Sequence, residues 1–195
     1  MYARIENIAH KSDEDLKALK AAGVNDLYIG IESGLTDILE YLNKGYTIEE
    51  IRTQCLRLNA VGIRHSDLLM LGTGGRGRGQ ENALAMAKLE NEIKPTQILI
   101  NTMSAFAGTK LDDDIKKGVF IPAEERENLE EEKMDFLRTL YHDKRGGQMI
   151  RLRKKGDQVS QLSTCDMDEL AATGTDLLDT YTTVHTFRGY KRTSD

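Results

Sequence analysis

The chain has 195 residues, of which 39% are hydrophobic and 30% charged, and its formal net charge is −5. This composition does not favour a fibrous or disordered chain, and the negative charge argues against general nucleic-acid binding. Because the sequence contains no signal peptide and no apolar run near the roughly 18 residues of a membrane span, it favours a cytoplasmic protein without a membrane contact.

Strands and helices are predicted to alternate along the first 141 residues. Ser12 and Thr47 each precede an acidic residue by three positions, which is the capping-box signature of a helix start. The predicted strands cover residues 25–31, 67–71 and 97–102, and the predicted helices cover residues 13–22, 35–43, 48–60, 80–92, 112–117 and 123–141. Such alternation indicates right-handed βαβ crossovers and a parallel sheet.

Three strands are few for a parallel sheet, which is normally buried on both faces as part of a larger set. The predicted fold class is therefore α/β: a fragment of a partial (β/α) barrel, with three parallel strands, flanking helices and a helical C-terminal appendage. Residues 1–141 would form the barrel half and residues 142–195 the appendage, with one helix at 166–179.

Polar residues directly follow the first predicted strand. Glu32 and Ser33 place a carboxylate and a hydroxyl where a parallel strand delivers polar atoms to the rim of a barrel. A carboxylate there can accept both protons of a ribose diol, and Lys44, twelve residues further on, can neutralise a ligand carboxylate. Simpler interpretations stay open: Glu32 as a helix cap, and Lys44 as a lysine that complements a helix dipole.

A glycine-rich loop at residues 72–79 contains, at residues 72–77, the pattern GxGxxG between a strand and a helix. A dinucleotide-binding Rossmann domain also needs an acid at the end of the next strand, where this chain has Asn101 and Thr102, so this alternative is the weaker one. Arg76 and Arg78 in the loop would either help to hold an anionic substrate or lie in solvent.

The remaining reactive side chains give no catalytic or metal-binding pattern. The four histidines are scattered without ligand spacing, and His65 is predicted to be structural. Cys55 shares the apolar spacing of its helix and is predicted to lie in the core, while Cys165, 110 positions away, has no activating neighbour. The basic run at 144–155 is interpreted as a solvated surface.

Eight short segments occur in an order and spacing that resemble one enzyme family. They are residues 2–4, 27–34, 43–45, 60–63, 71–75, 90–95, 108–111 and 118–120. Together they resemble the second half of a radical S-adenosylmethionine (SAM) enzyme, in the group of Fe–S oxidoreductases related to oxygen-independent coproporphyrinogen III oxidase. The resemblance implies that the three predicted strands are the fourth, fifth and sixth of that family's partial barrel.

The resemblance also implies a cofactor site. Glu32 would bind the ribose hydroxyls of SAM and Lys44 its methionyl carboxylate, with Ser33 and Gly72 at the same site. The parent family cleaves SAM reductively at a [4Fe–4S] cluster and takes hydrogen from a small organic substrate. The family's CxxxCxxC loop, which holds the cluster, is not in this sequence, so no catalytic or metal-ligating residue is predicted.

The sequence therefore predicts a fragment or truncated form of a radical SAM oxidoreductase that is inactive alone. The alternative is a non-catalytic remnant or assembly module that completes its barrel with another chain. In either case the strand at 25–31 would lie at an open sheet edge, which predicts a homo-oligomer or association with the missing N-terminal half.

Overall fold

The structure is a computed structural model that describes residues 1–123, 126–142, 149–154, 159–162 and 181–187. The described strands form one sheet of seven in the order β1-β2-β3-β4-β7-β5-β6. They are β1 (Tyr2–Ala3), β2 (Asp26–Glu32), β3 (Arg64–Leu71), β4 (Gln97–Thr102), β5 (Met149–Lys154), β6 (Val159–Leu162) and β7 (Tyr181–Phe187).

The described helices follow the strands in the predicted alternation. They are α1 (Ile5–Ala9), α2 (Asp13–Ala21), α3 (Thr36–Tyr41), α4 (Ile48–Ala60), α5 (Gly79–Ile93), α6 (Lys110–Lys116) and α7 (Arg126–His142). Within the described ranges, no helix is both long and apolar enough to cross a membrane.

The strands β1 to β4 are parallel, which confirms the predicted α/β fold and adds one strand to the three expected. The additional strand, β1, pairs Tyr2 with Tyr28 and Ala3 with Ile29. Two residues are too short for a period to show in the sequence, so this strand was missed. The expectation that the strand predicted at residues 25–31, now β2, lies at the sheet edge is therefore wrong for the described sheet, in which β1 takes that place.

The described parts of the C-terminal region extend the sheet with antiparallel strands. β7 pairs with β4, joining Gln97 to His185 and Leu99 to Thr183, and β5 and β6 lie beyond it. These residues are strands within a region predicted to be helical. The helix predicted at residues 166–179 and Cys165 lie outside the described residues.

The core lies between the sheet and the helices. On β2 and β3 alternate side chains are buried under the helices, as expected for strands with one covered face. Ile29, Ile31, Leu69 and Leu71 are essentially inaccessible to solvent, and each such side chain contributes roughly 1.5–3 kcal/mol by burial. The opposite face of the sheet, which includes Tyr28, is only half-buried.

Helix α4 starts at the predicted capping box. The Thr47 hydroxyl accepts the N–H of Glu50 at 3.2 Å, and the Glu50 carboxylate accepts the N–H of Thr47 at 2.7 Å. We expect Thr47→Ala to lower the free energy of unfolding by about 1 kcal/mol, measured by urea denaturation. Thr53→Ala, on the exposed side of the same helix, is the control and should cost nothing, because alanine is the better helix former. Equal losses in both variants would contradict the capping role.

Candidate functional site

The backbone of β2 is irregular where its polar residues begin. The register with β3 shifts between Gly30 and Glu32, and Glu32 has a φ of 68°, in the left-handed region. For a residue other than glycine this conformation costs on the order of 1–3 kcal/mol, and it is concentrated at functional sites. The bend turns the Glu32 side chain back over Gly30, where a Cβ atom would lie 2.6 Å from the Glu32 Oε1 atom.

Glu32 and Lys44, the two main predicted site residues, contact each other. Lys44 Nζ donates to Glu32 Oε1 at 2.7 Å, and the two side chains are 27% and 13% exposed, respectively. Glu32 does not cap α3, whose N-cap residue is Leu35. The hydroxyl beside the start of α3 belongs to Ser33, which accepts the N–H of Leu35 at 3.1 Å. The twelve-residue spacing thus brings an ammonium onto a carboxylate at the end of β2.

Two residues that sequence reasoning missed hold this pair in place. The Arg4 guanidinium donates to the carbonyl oxygen of Lys44 at 2.8 Å. The Tyr46 hydroxyl donates to the carbonyl oxygen of Gly30, and burial, with the nearby Glu32 charge, raises the pKa of Tyr46 well above its usual range. Arg4 lies within one of the matched segments, but nothing in its spacing indicated a contact with the turn at Lys44.

The other two predicted site residues, Ser33 and Gly72, belong to one buried hydrogen-bond network. The Ser33 hydroxyl donates to Asn82 Oδ1 at 2.6 Å, and Asn82 Nδ2 donates to Glu132 Oε1 at 2.7 Å. The N–H of Gly72 donates to Glu132 Oε2 at 2.9 Å. Burial raises the pKa of Glu132 to about 7, against the opposing effect of the two donors. This network joins the ends of β2 and β3 to α5 and α7.

The two arginines of the glycine-rich loop after β3 have different surroundings. The guanidinium of Arg78 is bonded to Asp37 at 2.6 Å and to Glu81 at 2.8 Å, which raises the pKa of Arg78 above its usual range. Its charge is thereby matched inside the protein. Arg76 lines a cavity of about 420 Å³ between the loop and α7, opposite Glu131 and Asp135.

A second buried polar cluster lies on the helix-covered face of the sheet. His65 Nδ1 lies 2.8 Å from Asp67 Oδ1, and His65 Nε2 lies 3.2 Å from the Ile93 carbonyl oxygen. Glu90 is beside Asp67, and burial followed by the Asp67 charge raises its pKa well above its usual value. Cys55 is buried nearby, as predicted. The cluster is part of the core, and the described residues contain no group of three or more His, Cys, Asp or Glu side chains placed to hold a metal ion.

Comparisons with known proteins agree with this fold. The chain is 24% identical over 119 residues to the tRNA uridine(34) acetyltransferase of Methanocaldococcus jannaschii, a match that covers 60% of this chain and 22% of that protein. Two solved structures each superpose with a TM-score of 0.56. One is the coproporphyrinogen III oxidase of Escherichia coli, a radical SAM enzyme, at 15% identity over 72% of this chain. The other is the Elp3 protein of Methanocaldococcus infernus, at 21% identity over 74%.

No protein-family model matches the chain. The superpositions confirm the resemblance inferred from the eight sequence segments at the level of the fold: the chain has the fold of part of a radical SAM barrel. It spans 22% of the length of the curated relative and 32% of each solved structure.

Proposed function

We propose that this chain carries the ribose- and carboxylate-binding side of a SAM site, as a fragment or truncated form of a radical SAM oxidoreductase of the coproporphyrinogen-oxidase-like group. The observation that supports this most is the Glu32–Lys44 pair. It joins the carboxylate of Glu32, a residue with a left-handed backbone conformation, to an ammonium at the carboxyl end of a parallel strand, where ligands bind in α/β barrels.

The chemistry of the pair fits the two polar ends of SAM. A carboxylate can accept both protons of a ribose diol, and an ammonium is a point charge suited to a methionyl carboxylate. In the free protein Glu32 and Lys44 neutralise each other at 2.7 Å. A ligand with a diol and a carboxylate offers each of them a replacement partner, whereas a ligand with only one of these groups leaves the other residue unpaired.

We further propose that radical chemistry requires a second polypeptide segment. SAM supplies that chemistry in the parent family when it is bound to a reduced [4Fe–4S] cluster. The two cysteines of this chain lie 110 positions apart, and Cys55 is buried in the core, where desolvation raises the pKa of its thiol. The role of this chain would then be to bind the cofactor, while the small organic substrate is held by other residues of the assembled enzyme.

The first experiment is a SAM titration at neutral pH, in the cytoplasm-like reducing buffer that the proposed location implies. Glu32→Ala and Lys44→Ala should each weaken SAM binding about tenfold to a hundredfold, because each removes a charged hydrogen-bond partner. Glu40→Ala, on the exposed side of α3, should bind like the wild type. Unchanged isotherms in both site variants would refute the proposal, and tighter binding of NAD than of SAM would favour the Rossmann alternative.

Cluster assembly provides a separate prediction. Anaerobic reconstitution with iron and sulfide should give no stoichiometric cluster, because the family's cluster needs three thiolates from one short loop and this chain has two distant cysteines. SAM should stay uncleaved after addition of dithionite. If absorbance and iron content correspond to about one cluster per chain, and 5′-deoxyadenosine is released, the chain is active alone.

The alternative role is that of an assembly module without catalysis of its own. It is favoured by the half-buried face of the sheet around Tyr28 and by the short strand β1 at one end of the described sheet. We propose that a second copy or a separate polypeptide covers this face. Sedimentation at micromolar concentration should then show a dimer or a larger complex, and a well-folded monomer would count against association between copies.

A further inference from the structure

Glu132 presents both of its carboxylate oxygens to donors. Oε2 accepts the N–H of Gly72 at 2.9 Å, and Oε1 accepts Asn82 Nδ2 at 2.7 Å. Glu132 is only 2% exposed, and Asn82 and Ser33 are fully buried. Because two donors meet two acceptors, the ionised carboxylate satisfies both contacts, whereas a protonated acid would turn a hydroxyl toward one of them.

The charged side chains that line the cavity beside Glu132 come from two elements, and Lys133, which is 2% exposed, follows Glu132 in α7. Arg76, on the glycine-rich loop, and Glu131 and Asp135, on the same helix as Glu132, line the cavity of about 420 Å³ that adjoins it. On the side of α5 the facing groups are uncharged: the Asn82 amide and the backbone at Gly79, where a Cβ atom would lie 3.3 Å from Glu132 Cβ.

We propose that Glu132 is a positioning residue whose carboxylate couples the ends of β2 and β3. It holds the N–H of Gly72 directly, and it holds the Ser33 hydroxyl through Asn82, whose amide accepts on one side and donates on the other. Ser33 directly follows Glu32, so the coupling reaches the SAM-binding residues of the proposed function, on which its consequence for SAM rests.

Protonation of Glu132 distinguishes this coupling from simple packing. Since burial places its pKa at about 7, the carboxylate predominates above neutrality and the neutral acid below it. The neutral acid weakens one of the two hydrogen bonds. Protonation should therefore change the environment of the Gly72 amide directly. It should change the environment of Ser33 only while the Asn82 side chain is present.

The test is NMR of the backbone amides of Gly72 and Ser33 from about pH 5.5 to about pH 8.5. In the wild type both signals should titrate with one common midpoint near 7, and Glu131→Gln, an exposed neighbour, should keep both titrations with at most a small shift of their common midpoint. Glu132→Gln should abolish both titrations. Asn82→Ala should keep the titration at Gly72 and remove it at Ser33.

Different midpoints in the wild type, or titrations that persist in Glu132→Gln, would overturn the proposal. The wild-type comparison decides the matter even where a variant fails to fold.

SAM affinity is measured on the same samples. We expect binding to weaken about fivefold from about pH 8 to about pH 6 in the wild type, the value of one weakened hydrogen bond, and to lose this dependence in Glu132→Gln. The same pH dependence in both proteins would overturn the coupling to the SAM site. Absence of SAM binding at every pH would instead refute the proposed function, and the amide titrations would still decide the role of Glu132.

Discussion

Replacement of Gly34 by alanine is expected to lower the free energy of unfolding by roughly 3 kcal/mol. The added Cβ atom would lie 2.3 Å from the carbonyl carbon of Ala85 and 2.4 Å from the nitrogen of Met86. Both are backbone atoms of α5, so the helix as a whole has to move away from the end of β2. Urea denaturation monitored by circular dichroism measures the loss.

Gly30→Ala is the matched control, with a different expected result. Its Cβ atom would lie 2.6 Å from Glu32 Oε1, which is the free end of a flexible side chain. We expect a loss below about 1 kcal/mol, together with weaker SAM binding because the Glu32 carboxylate is displaced. If the free energy of unfolding falls equally in the two glycine variants, the close approach of α5 is not the reason why residue 34 must be glycine.

The second large effect is expected from Glu90→Gln, which should stabilise the protein. Among the described residues, Asp67 Oδ2 and both carboxylate oxygens of Glu90 have no hydrogen-bond partner within the core. A glutamine amide can donate to Asp67 at every pH, whereas Glu90 can do so only while it holds its proton. We expect a gain of about 1–3 kcal/mol above neutral pH, the cost of an unsatisfied buried polar group.

The raised pKa of Glu90 determines how the stability of the wild type changes with pH. Burial raises the pKa of Glu90 well above the usual 4.5, so the native state binds more protons than the unfolded state above that value. Stability therefore falls as the pH rises through this window. Burial alone would lower the pKa of His65, but pairing with Asp67 outweighs it and the pKa is raised, so its contribution is also lost as the pH rises.

Glu90→Gln should remove most of the loss of stability between about pH 5 and about pH 9, and the difference between variant and wild type should vanish near pH 4. The slope that remains is assigned to His65 and Glu132. Glu92→Gln, next to the cluster but paired with Arg52 at the surface, is the control and should keep the full dependence. A variant that is less stable than the wild type at every pH would contradict the assignment of a neutral Glu90.

Local signals in the sequence predicted the elements that have strong local causes. The capping residues Ser12 and Thr47 begin their helices as predicted, and the strand at residues 97–102 has the predicted bounds. Strand β1 and helix α1 were missed because two and five residues give no readable period. The shift in β2 register at Gly30 depends on the partner strand and on Tyr46, which sequence spacing does not indicate.

The candidate site shows the same division. Glu32 and Lys44 were predicted as site residues from residue type and resemblance, and the structure adds that they contact each other. The network of Asn82 and Glu132 could not be predicted, because these residues are 50 positions apart and no local pattern marks either one. Buried polar contacts between distant elements are set by the tertiary packing of α5 and α7. Local sequence periodicity carries no information on that packing.

The central claim is that Glu32 binds a ribose diol and Lys44 a ligand carboxylate. Titration of matched ligands tests it most directly, because SAM has both groups and adenosine has only the diol. Lys44→Met should weaken SAM binding at least about tenfold and should not weaken adenosine binding, because adenosine has no carboxylate for Lys44 and no longer has to displace it from Glu32, whereas Glu32→Gln should weaken both ligands. Equal effects of Lys44→Met on SAM and adenosine, or no effect of Glu32→Gln on either, would contradict this assignment of the site.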